Sequence, residues 1–169
     1  MTHASRIELG ALPLKKMQLK KMKVTILSFS FKRGLPDDPT GNGGGFVFDC
    51  RAMPNPFWDE SLRGYTGLDK PIRDFFDQYK DKVDSFLNAA ETLVRQSIDE
   101  YLKDGRDHLQ VAFGCTGGQH RSVYFAERMV ELLAGIDGVE VDLEHAAMPS
   151  PNRMTSLMPS DVPPNVAVK

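Results

Sequence analysis

A glycine-containing loop between an apolar run and an amphipathic run constrains the fold of this chain more than any other stretch. Residues 109–113 are mostly apolar and predict a buried strand, while residues 123–133 have the periodicity of a helix. Between them lies the sequence Gly-Cys-Thr-Gly-Gly-Gln-His-Arg-Ser at 114–122, called the glycine loop below. Adjacent glycines let a backbone turn its N–H groups towards a ligand, and a helix start adds unpaired donors and partial positive charge. The stretch therefore predicts a strand, an oxyanion-binding loop and a helix.

The remaining patterns predict an α/β fold, with a small mixed or parallel sheet flanked by helices. Runs of β-branched and apolar residues predict strands at 24–31, 46–50, 108–113 and 139–143. The fourth run alternates apolar and charged residues, so we expect it near an edge of the sheet. Apolar residues at steps of three and four, from Ile72 to a stop at Gly105, predict one long helix or two that join near residues 80–82.

Length and charge favour one domain with two tails. The chain has 169 residues, and we expect a domain at 23–146, a flexible basic lead at 1–22 and a disordered tail at 147–169. Its formal net charge of −2 gives no global argument for nucleic-acid binding. The two cysteines are too few for a disulfide scaffold, and no apolar stretch approaches the length of a membrane span. We therefore expect a cytoplasmic protein with free thiols and no membrane contact.

Cys115 and Arg121 are separated by five residues, and a serine follows the arginine. This spacing is that of the protein tyrosine phosphatase loop, in which a thiolate attacks phosphorus and the arginine binds phosphate. Gly114 stands where those phosphatases usually carry histidine. The general-acid candidates are Asp59 and Asp69, each of which also fits a turn or helix-capping role. The alternative interpretation of the cysteine is a small, tightly packed residue at the strand–loop junction.

Charged residues also follow the first two predicted strands. Lys32 and Arg33 come after the first, while Asp49 and Arg51 lie at the end of the second. Ligands of open α/β sheets bind at the carboxyl ends of the strands, so these side chains are either ligand contacts or ordinary surface charges and a turn cap. Trp58, which follows a stiff segment with two prolines, is interpreted as a packing anchor.

His120 lies at the expected helix start and fits three roles, those of a general base, a phosphate donor or a capping residue. The four histidines are scattered through the sequence without the spacing of metal ligands. We therefore expect no metal and no cofactor.

Five segments form a recognisable set that spans roughly residues 24–145. They are Ser28-Phe29-Ser30-Phe31-Lys32, Phe48-Asp49-Cys50-Arg51, Pro54-Asn55-Pro56 with Trp58, Thr66-Gly67-Leu68-Asp69-Lys70-Pro71, and the run from Gly114 to Tyr124. In their order and separations they resemble the C-terminal domain of the RapZ family of bacterial RNase adapter proteins, known in other bacteria as YvcJ.

This resemblance implies a non-enzymatic adapter or sensor domain with an α/β fold similar to a phosphofructokinase subdomain. It implies binding of glucosamine-6-phosphate, an amino-sugar phosphate, and of small regulatory RNA that is presented to an endoribonuclease. It also implies self-association into a homo-oligomer. The ligand site would comprise Cys115, Thr116, Gly117, Gly118, Gln119, His120, Arg121 and Ser122. The pocket rim would comprise Lys32, Arg33, Asp49, Arg51 and Asn55.

The sequence departs from the full-length family pattern in two respects. It contains no Gly-x-x-x-x-Gly-Lys-Ser/Thr, so ATP or GTP binding by such a loop is not expected and a kinase-like domain would be a separate partner. The family's basic C-terminus also differs, because only Arg153 and Lys169 follow His145 as basic residues. RNA contact would then fall to the N-terminal lysines or to Lys32, Arg33, Arg51 and Arg63.

Overall fold

The computed structural model describes residues 21–41 and 44–147. The lead and tail predicted at 1–22 and 147–169 thus lie almost entirely outside the described residues. The strands are β1 (Met22–Ser30), β2 (Gly45–Asp49), β3 (His108–Cys115) and β4 (Val139–His145). The helices are α1 (Lys70–Asp77), α2 (Lys80–Lys103) and α3 (Arg121–Leu133).

The four strands form one sheet in the order β2-β3-β1-β4, and all neighbouring pairs are parallel. This confirms the predicted α/β class and selects a parallel sheet over a mixed one. The fourth strand lies at an edge, as its alternating pattern predicted. Its apolar residues face the core, whereas Glu140, Asp142 and Glu144 are exposed.

The long apolar pattern after residue 72 belongs to two helices rather than one. The break falls at Gln78 and Tyr79, just before the predicted junction. The second helix ends in a glycine cap: Gly105 has a φ of 69°, and the N–H of Arg106 donates to the carbonyl oxygen of Tyr101 at 2.9 Å. The stop predicted at Gly105 is therefore confirmed.

One face of the sheet and all three helices enclose the main core. Alternate residues of β1 and β3 point to this face and pack against the apolar stripes of the helices. Phe125 is completely buried, and its ring centroid lies 5.7 Å from that of Phe76, 4.9 Å from Phe86 and 5.3 Å from Tyr124. Among the described residues the opposite face carries only a small cluster around Phe29 that contains no helix residue. The described part of the fold is thus a two-layer α/β arrangement.

The sheet brings the carboxyl ends of its two central strands side by side. β1 and β3 are paired along their length, with Ser30 opposite Cys115 at the end. The glycine loop therefore begins next to the last residue of β1. No helix in residues 21–41 and 44–147 has the length and apolar character that a membrane crossing requires.

We predict that Phe125→Ala lowers the free energy of unfolding by about 3–5 kcal/mol, because it leaves a cavity among three other rings. Leu93→Ala is the control, since Leu93 is 48% exposed and its loss should change stability by no more than about 0.5 kcal/mol. Urea denaturation followed by circular dichroism measures both changes. Equal effects of the two substitutions would contradict this description of the core.

Candidate functional site

The glycine loop connects the buried strand β3 to the start of α3. The strand continues to Cys115, two residues beyond its predicted end, and the helix begins at Arg121. Five backbone N–H groups of this connection have no acceptor among the described residues: those of Thr116, Gly117, Gln119, His120 and Arg121. Unpaired N–H groups at a helix start suit an oxyanion, because they donate hydrogen bonds and carry the positive end of the helix dipole.

Contacts with β1 hold the loop in place. The hydroxyl of Ser30 donates to the carbonyl oxygen of Thr116 at 2.8 Å. Gly118 has a φ of 71°, and a Cβ there would lie 2.4 Å from the Cβ of Ala147 and 3.0 Å from that of Ser30. Gly117 is different, since a Cβ at that position would meet no atom within 4 Å. Gly118 is therefore required, because its positive φ and its close neighbours both disfavour a side chain. At Gly117 there is open space beside the loop.

Cys115 lies at the centre of the loop with 3% of its surface exposed. Its sulfur accepts a hydrogen bond from the N–H of Gly118 at 3.2 Å and lies 3.2 Å from the hydroxyl oxygen of Ser122. Burial raises the pKa of the thiol, but the hydrogen bonds from Ser122 and Gly118 and the charge of Arg121 outweigh it, so the pKa lies below its ordinary value. The loop thus stabilises negative charge at its centre.

Arg121 is a buried cation that joins the loop to the end of β2. Its Nη1 donates to the carbonyl oxygens of Arg51 at 3.0 Å and Met53 at 3.4 Å. Its remaining guanidinium N–H groups have no acceptor among the described residues. Their nitrogen atoms are not among the fully buried atoms that lack a partner. One edge of the fork is therefore structural, and the other is free for an anion.

His120 is 95% buried, with 5% of its surface exposed, and its Nε2 has no hydrogen-bond partner. Burial lowers the pKa of the imidazole below its ordinary value, and the charge of Arg121 acts in the same direction. The carbonyl groups of Tyr65 and Leu62 lie near the ring and oppose this shift. The ring is consequently neutral at pH 7, and its unpaired Nε2 is enclosed by the protein.

A neighbouring segment, residues 63–67, is attached directly to the loop. The side-chain amide of Gln119 donates to the carbonyl oxygens of Arg63 at 3.0 Å and Tyr65 at 2.6 Å. In return, the N–H of Gly67 donates to the carbonyl oxygen of Gln119 at 2.9 Å. A Cβ on Gly67 would lie 2.4 Å from the N atom of Tyr124 and 2.5 Å from the O atom of His120. Gln119 is thus a structural connector, and Gly67 is needed for close backbone contact.

The predicted rim residues follow the carboxyl ends of the strands, and they differ in how many hydrogen bonds their side chains make. Lys32 and Arg33 are exposed in a 3₁₀ turn after β1, where Nη1 of Arg33 donates to the carbonyl oxygen of Ala146 at 3.4 Å. Asp49 accepts the backbone N–H of Arg51 at 2.8 Å and also pairs with its guanidinium, 2.6 Å from Nη2. The hydrogen bond from that side chain lowers the pKa of Asp49. The turn-cap interpretation of Asp49 therefore applies, and its carboxylate also pairs with the guanidinium of Arg51.

Asn55 and Trp58 belong to one stiff 3₁₀ turn, at Pro56–Trp58. The Asn55 side chain accepts the N–H of Phe57 at 3.4 Å, which makes it a turn cap as well as a rim candidate. Trp58 is 79% exposed, so its interpretation as a packing anchor was wrong. The two prolines hold this turn rigid without burying the indole.

The two general-acid candidates of the phosphatase interpretation are occupied as turn caps. Asp59 accepts the N–H and hydroxyl of Ser61 at 2.9 and 2.6 Å, and Asp69 accepts those of Thr66 at 2.7 and 2.8 Å. The Ser61 hydroxyl bond lowers the pKa of Asp59, and the Thr66 N–H bond lowers that of Asp69. Both carboxylates are therefore ionised at neutral pH, whereas a general acid must be protonated.

Gly114, the departure from the phosphatase pattern, has a packing reason. A Cβ at this position would lie 2.5 Å from ring atoms of both Phe29 and Phe31. Any larger residue, histidine included, would displace these rings from the second face of the sheet.

Sequence reasoning did not identify a series of three hydrogen-bonded side chains that connects β1, β4 and α3. The Ser28 hydroxyl lies 2.8 Å from Nδ1 of His145, whose Nε2 lies 3.1 Å from a carboxylate oxygen of Glu127. Ser28 is fully buried, so these hydrogen bonds join β1, β4 and α3 inside the fold. No local pattern reveals them, because parallel pairing joins residues 117 positions apart.

One cavity lies far from the loop, at the opposite end of the sheet. It has a volume of about 360 Å³ and is lined by Gly44, Tyr101, Gly105, Arg106, Asp107 and His108. Since His108 begins β3, this cavity lies at the amino ends of the strands, whereas the loop follows their carboxyl ends. No group of three metal-ligating side chains occurs among the described residues. The glycine loop, with its five N–H groups that lack acceptors, remains the stronger site candidate.

Comparisons with known proteins agree on one family. A family model described as RapZ C-terminal domain matches residues 22–149. A nucleotide-binding protein of Acidithiobacillus ferrooxidans is 39% identical over 144 residues, which cover 85% of this chain and 46% of that protein. A nucleotide-binding protein of Clostridium acetobutylicum is 42% identical over 128 residues, covering 74% and 40%. The chain thus spans less than half the length of these curated relatives.

We predict that Gly67→Ala destabilises the protein by about 1–3 kcal/mol, because the added methyl collides with backbone atoms that cannot move independently. The control is Gly64→Ala, where a Cβ meets no atom within 4 Å. Urea denaturation measures stability, and alkylation of Cys115 reports loosening of the loop. If both variants behaved like the unmodified protein, Gly67 would not be a required contact.

Proposed function

This chain belongs to the RapZ C-terminal domain family, and on that premise we propose that it is a non-enzymatic adapter or sensor domain that binds a phosphorylated metabolite at the glycine loop. The proposed ligand is an amino-sugar phosphate such as glucosamine-6-phosphate. The observation that carries this proposal is the set of five N–H groups without acceptors between β3 and α3. A phosphate group offers enough oxygen acceptors to satisfy several of them at once.

Side chains of the same loop complement the backbone donors. The free edge of the Arg121 guanidinium supplies a planar pair of N–H donors. For the amino group of the sugar, Asp49 is the acidic residue among the predicted rim positions. Its side chain is fixed by the ion pair with Arg51 and is nearly half exposed, so a ligand can still reach the carboxylate.

Nucleotide binding, which the names of the relatives state, is not part of the proposal for this chain. The chain covers 46% and 40% of the two relatives described above. It also contains no Gly-x-x-x-x-Gly-Lys-Ser/Thr sequence, the loop that holds nucleotide phosphates in many nucleoside triphosphatases.

RNA binding, with a ribonuclease as partner and self-association of the domain, forms the second part of the proposal. At a formal net charge of −2, an RNA surface must be local. Lys32, Arg33, Arg51 and Arg63 are exposed and follow the carboxyl ends of β1 and β2. Arg63 lies over the half-exposed ring of Phe57, 5.1 Å from its centroid. Such a combination of cations and aromatic rings suits single-stranded nucleic acid.

A phosphatase or phosphotransferase using Cys115 and Arg121 is the alternative, and the lowered pKa of the Cys115 thiol favours it. Three observations oppose it. The sulfur is buried and hydrogen-bonded, one edge of Arg121 is bound to backbone carbonyls, and both acid candidates are ionised turn caps. Binding without turnover is therefore the better account of the loop.

We predict that glucosamine-6-phosphate binds the full chain and that glucosamine, which lacks the phosphate, does not. Gly117→Leu should weaken binding by about tenfold or more, equal to about 1.4 kcal/mol, because its side chain enters the open space beside the loop. Gly64→Leu, also in open space, should bind normally. Calorimetry measures affinity, and phosphate release is assayed in the same samples. Equal affinity of both variants would remove the loop from the site, and turnover lost in Cys115→Ser would establish the alternative.

We predict that the double variant Lys32→Glu, Arg63→Glu binds single-stranded RNA more weakly than the unmodified chain and with a shallower dependence on salt, since fewer phosphates are neutralised. Lys103→Glu, an exposed charge at the far end of α2, is the control and should leave binding unchanged. Gel shifts over a range of salt concentrations provide the measurement. Absence of binding at the lowest salt would refute RNA recognition by this chain.

A further inference from the structure

The two cysteines of the chain lie at the carboxyl ends of the neighbouring strands β2 and β3, where the glycine loop begins. β2 and β3 are parallel, and their last register pair is Asp49 with Gly114. Cys115 is the last residue of β3, and Cys50 is the first residue after β2, in the 3₁₀ turn Cys50–Ala52. Both belong to the main core. Neighbouring strands lie about 4.7–4.9 Å apart, and disulfides join Cα atoms about 4.4–6.8 Å apart. Because each cysteine is one residue beyond the last paired residues, we expect their Cα atoms to lie within the range that a disulfide spans.

From this geometry we propose that Cys50 and Cys115 are an oxidisable thiol pair, which a hydroperoxide converts to an intramolecular disulfide at the base of the glycine loop. The environment of each sulfur supports the pairing. Burial raises the pKa of the Cys50 thiol well above its ordinary value, and the proximity of Cys115 acts in the same direction. The N–H of Gly114, the residue before Cys115, lies close enough to the Cys50 sulfur to oppose that shift.

The two thiols are suited to different steps of the reaction. Cys115 has a lowered pKa and 3% of its surface exposed, whereas Cys50 is completely buried, so a small hydroperoxide reacts first with Cys115. Hydrogen peroxide is much smaller than a phosphomonoester, so the narrow access that disfavours a phosphatase reaction still admits it. Its sulfur attacks one peroxide oxygen, the O–O bond breaks, and the released hydroxide takes up a proton to form water. Cys115 is then a sulfenic acid, and the peroxide has been reduced.

Cys50 completes the reaction as the resolving thiol. It loses its proton and attacks the Cys115 sulfur, the S–S bond forms, and the departing hydroxide leaves with that proton as water. In sum, two thiols and one hydroperoxide give one disulfide and two waters when the oxidant is hydrogen peroxide. A thiol reductant reverses the change by thiol–disulfide exchange.

The disulfide would change the loop as well as the core. The Cys115 sulfur now accepts from the N–H of Gly118 and contacts Ser122, and a bond to Cys50 would draw it towards β2. Arg121 would be affected too, because it binds the carbonyls of Arg51 and Met53 just after Cys50. We therefore expect oxidation to weaken phosphate binding at the loop, a consequence that rests on the function proposed above.

The test treats the full chain with hydrogen peroxide and measures its intact mass and its peptides under non-reducing conditions. We expect the mass of two hydrogen atoms to be lost and a cross-linked peptide pair containing Cys50 and Cys115. In Cys50→Ala the same treatment should instead add oxygen to Cys115, since no resolving thiol remains. In Cys115→Ala, Cys50 should stay unmodified, because its buried thiol is protonated. Retention of both thiols at peroxide levels that oxidise glutathione, or cross-links only between chains, would overturn the proposal.

Ligand binding is measured separately, with glucosamine-6-phosphate on reduced, oxidised and re-reduced protein. We expect at least about a tenfold loss on oxidation, equal to about 1.4 kcal/mol, and recovery on reduction. If the reduced protein does not bind this ligand, the proposed function fails while the peptide result still decides on the disulfide. If binding is the same in all three states, the thiol pair does not control the site.

Discussion

The parallel pairing of β1 with β3 is the constraint on which the site depends. It aligns the ends of the two strands, so that Ser30 lies beside Cys115 and its hydroxyl reaches the carbonyl of Thr116. The backbone of β1 also limits the space at Gly118, which forces glycine there and bends the loop into the start of α3. This register places the last residue of β1 beside the start of the loop that carries the unpaired N–H groups. The arrangement of donors is thus a consequence of sheet topology as much as of the local glycines.

Arg121 shows how one charge serves both structure and chemistry. By donating to two carbonyls after β2, it brings a third strand end to the loop that β1 and β3 form. The cation remains buried, and its charge favours negative charge on the adjacent Cys115 sulfur. A phosphatase would direct this guanidinium at the substrate, whereas here Nη1, with two of the five N–H donors, is committed to backbone carbonyls of the fold. This use of Arg121 favours binding of an anion over its hydrolysis.

Much of the fold could be predicted from the sequence because its strands and helices have strong periodicity. The glycine stop at Gly105 and the edge position of β4 followed from local chemistry that tertiary structure did not override. The break at Gln78 and Tyr79 was less certain, since the apolar phase continues across it. The roles of Gly67 and Gly114 were out of reach, because each depends on atoms brought close only by folding. Trp58 was misjudged because large aromatics are usually buried, whereas its rigid turn holds it in solvent. The loop as the ligand site stays a prediction.

The exposed acids of β4 have a consequence for how copies of this chain can meet. Edge strands offer unpaired backbone groups to a second sheet, and charged side chains are a common protection against such pairing. Glu140, Asp142 and Glu144 give this edge a row of negative charge, which Lys23 partly offsets through its ion pair with Asp142. Two copies that aligned these edges would repel each other. Continuous sheet extension between subunits is therefore disfavoured at β4, and a symmetric assembly must use another surface.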